Sequence, residues 1–360
     1  MSSRTYLPVN GEDVHFDLFD PRVASVDPGE LIGYTRSGVA VRAVGGAARN
    51  TLEAWIPEEN DSVVIQRVMQ MSALERFARR VAMKTQTRST PRSGGVGVSL
   101  VAKGGAYAED VTANDDVVLR SQKFGTAVRV AEEDIDDSLA DVINVKMIDW
   151  STAYAKALDN AALGVTVARG VSGAAFDSVY YILTQADAST GYAANANRVQ
   201  TAAGALTYAN LSAVVGKVEV GDYWDEFNTV VIAHPSFRAK LREILDTQNR
   251  PIFQESSNGT AGGGQAPSPD RLFGYQVHWS LGARGSTTVS SAPTGNPLLY
   301  VANRQFLIMG VRSGPESVFI DGRNGLAALT DESILKMRSR RAFALGHQGA
   351  VAVLEAIPAV

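Results

Sequence analysis

The side chains best suited to chemistry in this sequence are its four histidines, because histidine is the commonest metal ligand and general base in proteins. His15, His234, His278 and His347 are scattered along the chain and lack zinc-type spacings such as HExxH. Cysteine is absent, which removes thiolate metal sites, disulfides and cysteine nucleophiles. The spacing therefore predicts no metal and no cofactor.

Two stretches rich in glycine and serine do not match the spacing of known phosphate-binding or catalytic motifs. The glycines at 94–97 form neither GxxxxGK[ST] nor GxGxxG, and they precede a predicted strand instead of a helix. The glycines and serine at 170–173 miss the GxSxG spacing of a nucleophile elbow. A hydrolase built around His234 and Ser236 is the alternative from a different class, although no acid, base and nucleophile set is visible. We therefore expect no enzymatic activity.

An acidic cluster precedes a long helical pattern. It has two interpretations, metal binding or stabilisation of the helix start by the helix dipole, and the second is favoured. Its members are Glu132, Glu133, Asp134, Asp136 and Asp137.

Basic residues are concentrated in two places. Lys336, Arg338 and Arg340 alternate along a predicted strand, so they share one face and would meet DNA phosphates, neighbouring carboxylates or solvent. The run from 84 to 108 contains several cations and no acid; they are Lys84, Arg88, Arg92 and Lys103.

Composition limits the class of protein. The chain has 360 residues, 45% of them hydrophobic and 20% charged, which is typical of a globular protein of about two domains. Its formal net charge of −4 argues against a protein whose whole surface binds nucleic acid. The sequence shows no secretory signal and no run of about 18 apolar residues, so we expect a soluble chain made in a reducing cytoplasm.

The element expected to organise the rest is one long helix from Ala131 to Gly164. Apolar and small side chains recur there at three- and four-residue steps, the acidic cluster opens it, and Gly164 ends it. These side chains are Leu139, Ile143, Met147, Trp150, Tyr154, Ala157 and Ala161.

Before this helix the pattern predicts three different segments. Residues 1–57 are rich in proline and glycine and are interpreted either as an arm that lies on another surface or as a disordered leader. A helix is expected from Glu58 to Lys84. Residues 85–130 are expected to form two strands, with one face at 96–102 and the other at 124–130. This hairpin is too poor in apolar groups to make its own core and is expected to need a partner surface.

After the long helix the pattern is that of an α/β layer. A helix is predicted from Thr207, as N-cap, to about Val220, followed by a buried strand at Val230–Ile232 and a second helix with Pro235 in its first turn. A Gly/Ser/Pro-rich loop covers 254–270. Strands are expected at 272–280, 298–309, 317–320, 333–345 and 350–356.

Taken together, these segments resemble the major capsid proteins of tailed bacteriophages, whose fold is named after phage Hong Kong 97. The resemblance spans residues 58–360. Four stretches carry it: VRVAEEDIDDSLADVINVKMIDWSTAYAKALDNAALG, NTVVIAHPSFRAKLREILDTQNRPIF, RLFGYQVHWS and ESILKMRSRRAFALGHQGAVAVLEA.

The resemblance implies an α+β fold with an N-terminal arm, an extended β-hairpin loop, a peripheral domain with a long spine helix, and an α/β axial domain. The arm would be 1–57 and the extended loop, lying over a neighbouring subunit, 85–125. The peripheral domain would comprise 58–84, 126–169 and 326–348, and the axial domain 170–325 and 349–360.

The same resemblance implies a virion shell subunit, assembled in the host cytoplasm, that binds copies of itself in hexamers and pentamers. Further implied partners are a portal, packaged double-stranded DNA on the inner face, a decoration protein and a scaffolding protein. The scaffold is expected to be a separate chain, since the charged scaffolding prefix of the founding type is missing here. An encapsulin-like compartment for cargo enzymes is the alternative within the fold.

Inter-subunit contacts are expected from the charges of the hairpin. Arg88, Arg92 and Lys103 would meet carboxylates of an adjacent subunit, either the acidic cluster or Asp115 and Asp116. Lys103 lies where some relatives carry a crosslinking lysine, but no matching asparagine or acid is identifiable, so no crosslink is predicted.

Overall fold

The computed structural model describes the backbone of four short strands before residue 43 and most of the chain after residue 70. The later described residues are 71–95, 98–107, 109, 114–131, 133, 141–201, 206–245, 248, 250–254, 270–320 and 332–356. The chain divides into two compact units, Met1–Val63 and Val64–Val360.

Two antiparallel hairpins are described in the first unit. Strand β1 (Thr5–Val9) pairs with β2 (Glu12–Phe16), and β3 (Leu31–Tyr34) pairs with β4 (Ala40–Arg42). Short extended pieces were expected from the proline and glycine spacing, and these four strands confirm that expectation; the rest of the predicted arm lies outside the described residues.

The helix predicted over 58–84 is corrected at its C-terminal end. Residues 58–70 lie outside the described part; helix α1 covers only Ala73–Phe77, and Arg79–Ala82 is a strand, β5. Ala78 leaves the helix in an extended conformation, and Val81 is buried because β5 pairs in parallel with a later strand, β15 (Leu307–Ile320). Long-range pairing overrides the local preference of this basic segment for a helix C-terminus.

A four-stranded sheet is arranged in the order β5, β15, β16 (Glu332–Leu345) and β8 (Gln122–Ala131). Strands β15 and β16 pair antiparallel from Leu307 opposite Leu345 to Ile320 opposite Ile334. Odd-numbered residues of β16 face the main core, while even-numbered residues from Ile334 to Ala344 form what we call the outer face. The strand predicted at 333–345 is thereby confirmed.

A second sheet of seven strands lies in the same unit. Its order is β11 (Phe253–Gln254), β12 (Arg271–Leu272), β13 (Tyr275–Trp279), β10 (Thr229–Ala233), β14 (Leu298–Asn303), β17 (Val351–Glu355) and β9 (Arg198–Gln200). The predicted buried strand at Val230–Ile232 is the centre of β10, all of whose residues are buried. The strand expected at 350–356 is also confirmed, as β17.

Three expected strands differ in their limits. The one at 272–280 is two strands, β12 and β13, separated by a turn in which Phe273 and Gly274 have positive φ. The one at 298–309 is interrupted after Asn303, and the segment 317–320 is the end of β15. Because β15 pairs with β16, residues 307–320 belong to the four-stranded sheet, although the predicted boundary grouped them with the axial domain.

A short helix, α3, covers Val179–Thr184. The helices of the α/β layer that follows agree with the sequence. Helix α4 (Tyr208–Glu219) begins after Thr207, whose hydroxyl accepts a hydrogen bond from the Asn210 amide at 3.3 Å. Its apolar stripe packs against the seven-stranded sheet through Leu211, Val214, Val215 and Val218. The next helix, α5, covers Phe237–Glu243.

The long helix, α2, is shorter than predicted. It covers Val142–Leu163, 22 residues, and ends at Gly164 as expected. Ala131 is instead the last residue of β8, paired with Glu332, and 134–140 lie outside the described residues. Asp141 caps the helix by accepting from the Asn144 amide at 3.0 Å, which fixes its start.

Two adjacent polar residues of α2 tie this helix to two other segments. Asp159 is 1% exposed and accepts hydrogen bonds from the Ala73 amide at 2.8 Å, the Leu74 amide at 3.2 Å and the Ser280 hydroxyl at 2.6 Å, as well as from the Ser72 hydroxyl. Asp159 therefore caps α1 from another helix. Burial dominates and raises the pKa of Asp159, although these hydrogen bonds lower it.

Asn160 holds the segment that follows Ser280. Its amide donates to the carbonyls of Gly282 at 3.2 Å and Arg284 at 2.9 Å, and its oxygen accepts from the Ser286 hydroxyl at 2.8 Å. This segment runs so close to α2 that a Cβ on Gly282 would lie 2.6 Å from the Lys156 carbonyl oxygen. Only glycine fits there.

Among the described helices, none combines the length and apolar character needed to cross a membrane.

We expect Asp159→Ala to lower the free energy of unfolding of the unassembled subunit by about 3 kcal/mol, because four buried donors lose their acceptor. Urea unfolding followed by far-UV circular dichroism measures the loss. Asp222→Ala, at an exposed position, is the control and should change stability by less than about 0.5 kcal/mol. Equal effects of the two substitutions would contradict the role of Asp159.

The stability of the folded chain is expected to depend on pH through the carboxylate of Glu355. Burial alone would raise its pKa, but hydrogen bonds from Arg198 at 2.6 Å, Asn296 at 2.7 Å, Gln200 at 2.9 Å and Tyr180 at 3.0 Å outweigh burial and lower the pKa to about 2. A carboxylate with a lowered folded-state pKa stabilises the fold above its unfolded value, and this stabilisation is lost as pH falls from about 4.5 towards 2.

We therefore expect Glu355→Gln to cost about 3 kcal/mol at pH 7 and to be almost neutral at pH 2. Unfolding titrations at a series of pH values measure the difference between the two proteins. A difference that is constant with pH would contradict the ionised role of Glu355.

Candidate functional site

The hairpin predicted over 85–125 exists, with different strands. Strand β6 (Thr87–Arg92) pairs antiparallel with β7 (Asp115–Arg120). The expected first strand at 96–102 is not one, since its described residues 98–102 are irregular and Val98 and Leu100 are fully exposed. The expected second strand is part of β8, which pairs with β16 instead of with the first limb of the hairpin. An alternating pattern alone does not supply the partner that makes a strand.

The base of the hairpin is anchored on its own chain. Leu119 of β7 is completely buried and packs on the outer face of the four-stranded sheet with Ile308, Ala342 and Ala344. The expectation that the whole hairpin depends on a partner surface is therefore wrong for its base. Val117 and Leu119 are two residues apart in β7 and therefore face the sheet together. This small apolar strip is enough to pack two short strands on the sheet.

Arg92 closes the base of the hairpin against the body. The antiparallel register places it opposite Asp115, and its Nε donates to Asp115 Oδ1 at 2.7 Å while Nη2 contacts Oδ2. Nη2 also lies 3.0 Å from the Ser189 hydroxyl and 3.4 Å from Asp187 Oδ2. The acidic partners of Arg92 that the structure describes are in its own chain, and the expected contact with an adjacent subunit stays a prediction.

The pKa values reflect this network. The hydrogen bond from Arg92 lowers the pKa of Asp115. Burial would raise the pKa of Asp187, but hydrogen bonds from Ser189 and Gln348 outweigh it and lower the pKa to about 2. Both carboxylates are therefore ionised at neutral pH and hold Arg92 in place.

Beyond the base, the loop exposes apolar side chains. Val98 and Leu100 are fully exposed and Tyr107 is 87% exposed, and all three lie in the described part of the connection between β6 and β7. Lys103 is exposed in the same stretch. Clustered exposed apolar groups on one loop are typical of an interaction surface.

The remaining predicted contact residues are only partly described. Arg88 is exposed and donates to the Ala82 carbonyl at 2.6 Å, and Asp116 accepts from the Ser89 hydroxyl. Glu133 is exposed. The other members of the acidic cluster, Glu132, Asp134, Asp136 and Asp137, lie outside the described residues.

The three residues of the predicted basic strand face lie on the outer face of the four-stranded sheet, and their function stays a prediction. Lys336 and Arg338 are half-buried there and Arg340 is exposed. The Arg338 Nε donates to Glu316 Oε1 of the neighbouring strand at 2.5 Å. The sequence did not reveal that Lys123 and Arg312, from two other strands, join Arg340 around one open pocket of about 240 Å³. Only the strand register brings them together.

The histidine and serine of the hydrolase alternative form a local turn. His234 Nδ1 lies 2.8 Å from the Ser236 hydroxyl and accepts from the Ser236 amide at 3.2 Å. Burial lowers the pKa of His234 to about 4. Within the described part of the chain, no carboxylate is hydrogen-bonded to this ring, and no three His, Asp or Glu side chains are grouped as a metal site.

The chain is similar to known proteins at two levels. A family model described as the phage capsid family matches residues 54–355. No curated protein matches the chain.

Solved structures share its fold. One from Mycobacterium phage Bobi is 17% identical and has a TM-score of 0.64, covering 87% of this chain and 98% of that one. One from Microbacterium phage Oxtober96 is 18% identical with a TM-score of 0.59, over 86% and 98% of the two chains. One described as the capsid of a native GTA particle, computed with C5 symmetry, is 16% identical with a TM-score of 0.60, over 88% and 100%.

We expect Arg92→Ala to loosen the base of the hairpin without unfolding the subunit. Loss of the charge-assisted hydrogen bonds to Asp115 should make local opening of β6 and β7 easier by about 1–2 kcal/mol. Hydrogen exchange of the amides in 87–92 and 115–120 measures this as faster exchange, by about tenfold. Arg88→Ala, on the same strand but exposed, is the control; faster exchange in both variants or in neither would contradict the role of Arg92.

Proposed function

This chain belongs to the phage capsid family, and we propose that it is the major capsid protein of a tailed double-stranded DNA bacteriophage, which self-assembles into the icosahedral head. The observation that supports this proposal most directly is the two-part hairpin. Its base is fixed on its own subunit by Leu119 and Arg92, while Val98, Leu100 and Tyr107 are presented to the surroundings.

Exposed apolar side chains on an anchored loop fit a contact repeated around a closed shell. Each subunit places its loop on one neighbour and binds the loop of another, so a weak contact is repeated many times over the assembly. Burying such loops between subunits enlarges the interface beyond the contact patch of the compact body, and apolar burial supplies the free energy. Assembly is then cooperative and needs no catalytic residue.

The expected partners follow from this role. The proposed contacts are with copies of the same chain in pentamers and hexamers, with a portal, with a scaffolding protein during assembly in the host cytoplasm, with packaged DNA, and with a decoration protein. The solved relative described as a capsid with C5 symmetry is an assembled shell, which supports the contact between copies.

Electron microscopy of the expressed protein tests the proposal, and closed polyhedral shells are expected. The content of purified particles distinguishes the two shell classes: packaged DNA supports the proposal, and packaged cargo enzyme favours an encapsulin-like compartment. A protein that remains monomeric at concentrations where relatives assemble would contradict both.

We expect the triple substitution Val98→Ser, Leu100→Ser and Tyr107→Ser to reduce the yield of shells by at least about tenfold, while the melting temperature of the unassembled subunit stays within about 1 °C. Sedimentation separates shells from subunits, and calorimetry gives the melting temperature. Val171→Ser, half-exposed outside the loop, is the control. Normal shell yield from the triple variant would exclude the loop as an assembly contact.

A further inference from the structure

Three cations on the outer face of the four-stranded sheet lie together without compensation. The register places Arg340 of β16 directly opposite Lys123 of β8 on one side and opposite Ser313 of β15 on the other, next to a β-bulge that contains Arg312. Lys123, Arg312 and Arg340 are all exposed, and they line the same open pocket with Gln86, Ser121 and Gln122. We call these three residues the basic triad.

Three other arginines of the same sheet are paired, in contrast to the triad. Arg338 contacts Glu316 at 2.5 Å, and Arg129, on the same face, lies 3.4 Å from Glu332. On the core side, Arg341 donates to Glu75 at 2.8 Å. No member of the basic triad forms an ion pair with any residue that the structure describes.

This arrangement is unfavourable for an isolated subunit. Like charges directly opposite each other on neighbouring strands destabilise a sheet. The pocket also contains Ser121, whose buried hydroxyl has no hydrogen-bond partner among the described residues. The pocket is therefore lined by several hydrogen-bond donors, and no carboxylate that the structure describes lines it to balance the three positive charges.

We propose that the basic triad is a receptor for carboxylate side chains of a second copy of this chain. The inference rests on the proposed function, because only an assembling protein brings a second copy to this face at fixed stoichiometry. The chain carries 38 acidic and 34 basic residues, so each copy has carboxylates to offer. The triad lies beside the junction of β7 and β8, where the Ser121 amide donates to the Gln86 carbonyl at 2.8 Å, at the end of the β6–β7 pair opposite to the Arg92–Asp115 end from which the exposed loop leaves.

The excess of acids in the chain favours a protein carboxylate over a nucleic-acid phosphate. A protein with net charge −4 repels a polyanion at long range, whereas a single carboxylate held by an assembling neighbour needs only local complementarity. The triad is also exposed, so its contacts should weaken with salt, given a Debye length of about 8 Å at physiological ionic strength.

The proposal predicts opposite effects of one substitution on the subunit and on the shell. Arg340→Glu places a carboxylate opposite Lys123, so the melting temperature of the unassembled subunit should stay the same or rise by about 1–2 °C. The same substitution repels the incoming carboxylate, so the yield of shells at low salt should fall by at least about tenfold. Arg129→Glu, which changes a cation already paired with Glu332, is the matched control and should lower shell yield less than Arg340→Glu.

A chemical experiment identifies the partner without assuming which acid it is. Shells are assembled from an equal mixture of ordinary and ¹⁵N-labelled chains and treated with a carbodiimide. The carbodiimide adds to a carboxylic acid to give an O-acylisourea, and an amine in contact with it displaces the urea by-product and forms an amide. Mass spectrometry should find peptides in which Lys123 of one isotope is joined to an Asp or Glu of the other. Shells of the variant Lys123→Arg, which keeps the charge but lacks the reactive amine, should lack this product.

The outcomes separate the inference from the proposed function. Failure of the unsubstituted chain to form shells overturns the function. Normal shells from Arg340→Glu, or links of Lys123 confined to one isotope, overturn the inference alone. Shells that form normally but lose nuclease-protected DNA in Arg340→Glu would also overturn it, in favour of a phosphate contact.

Discussion

The structure depends on a carboxylate buried where no solvent reaches it. Asp159 lies near the C-terminal end of α2 and accepts hydrogen bonds from the free amides at the start of α1 and from a hydroxyl beside β13. A buried acid without donors would be strongly unfavourable, and a buried helix start without an acceptor would be equally so, so each satisfies the other. Asn160, the next residue, also fixes a distant segment, because its side-chain amide donates to the Gly282 carbonyl. Through these two residues one helix fixes elements that are far apart in the chain.

This constraint explains why the compact part can keep a rigid form while a loop leaves it. The main core joins α2, one face of the seven-stranded sheet and the ends of β15 and β16 into one cluster. The four-stranded sheet extends from that cluster, and its outer face carries both the hairpin base and the basic triad. Rigid support and exposed contact groups therefore belong to the same sheet.

The sequence predicted elements whose signals are local. Thr207 as a cap, the apolar run of β10 and the alternation of β16 all follow from neighbouring residues, and the structure confirms them. Elements whose conformation depends on distant partners were predicted wrongly. Arg79–Ala82 is a strand because it pairs with β15, which lies far away in the sequence. The polar segment Thr87–Arg92 is also a paired strand, although it contains Pro91. The basic triad could not be predicted from the sequence for the same reason, because residues 123, 312 and 340 come together only through the pairing register of three strands. The polar pair Asp159 and Asn160 inside an apolar helical stretch was a readable signal that sequence reasoning passed over.

In the proposed shell, the anchoring of Leu119 would lower the entropy cost of association between subunits. A freely hinged hairpin would lose conformational entropy each time it was ordered on a neighbour, and that loss would be subtracted from every contact in the shell. Because Leu119 and Arg92 restrain the root beforehand, much of the ordering occurs when the single chain folds. In the proposed assembly, a residue buried within one subunit would thus affect the threshold concentration at which particles nucleate.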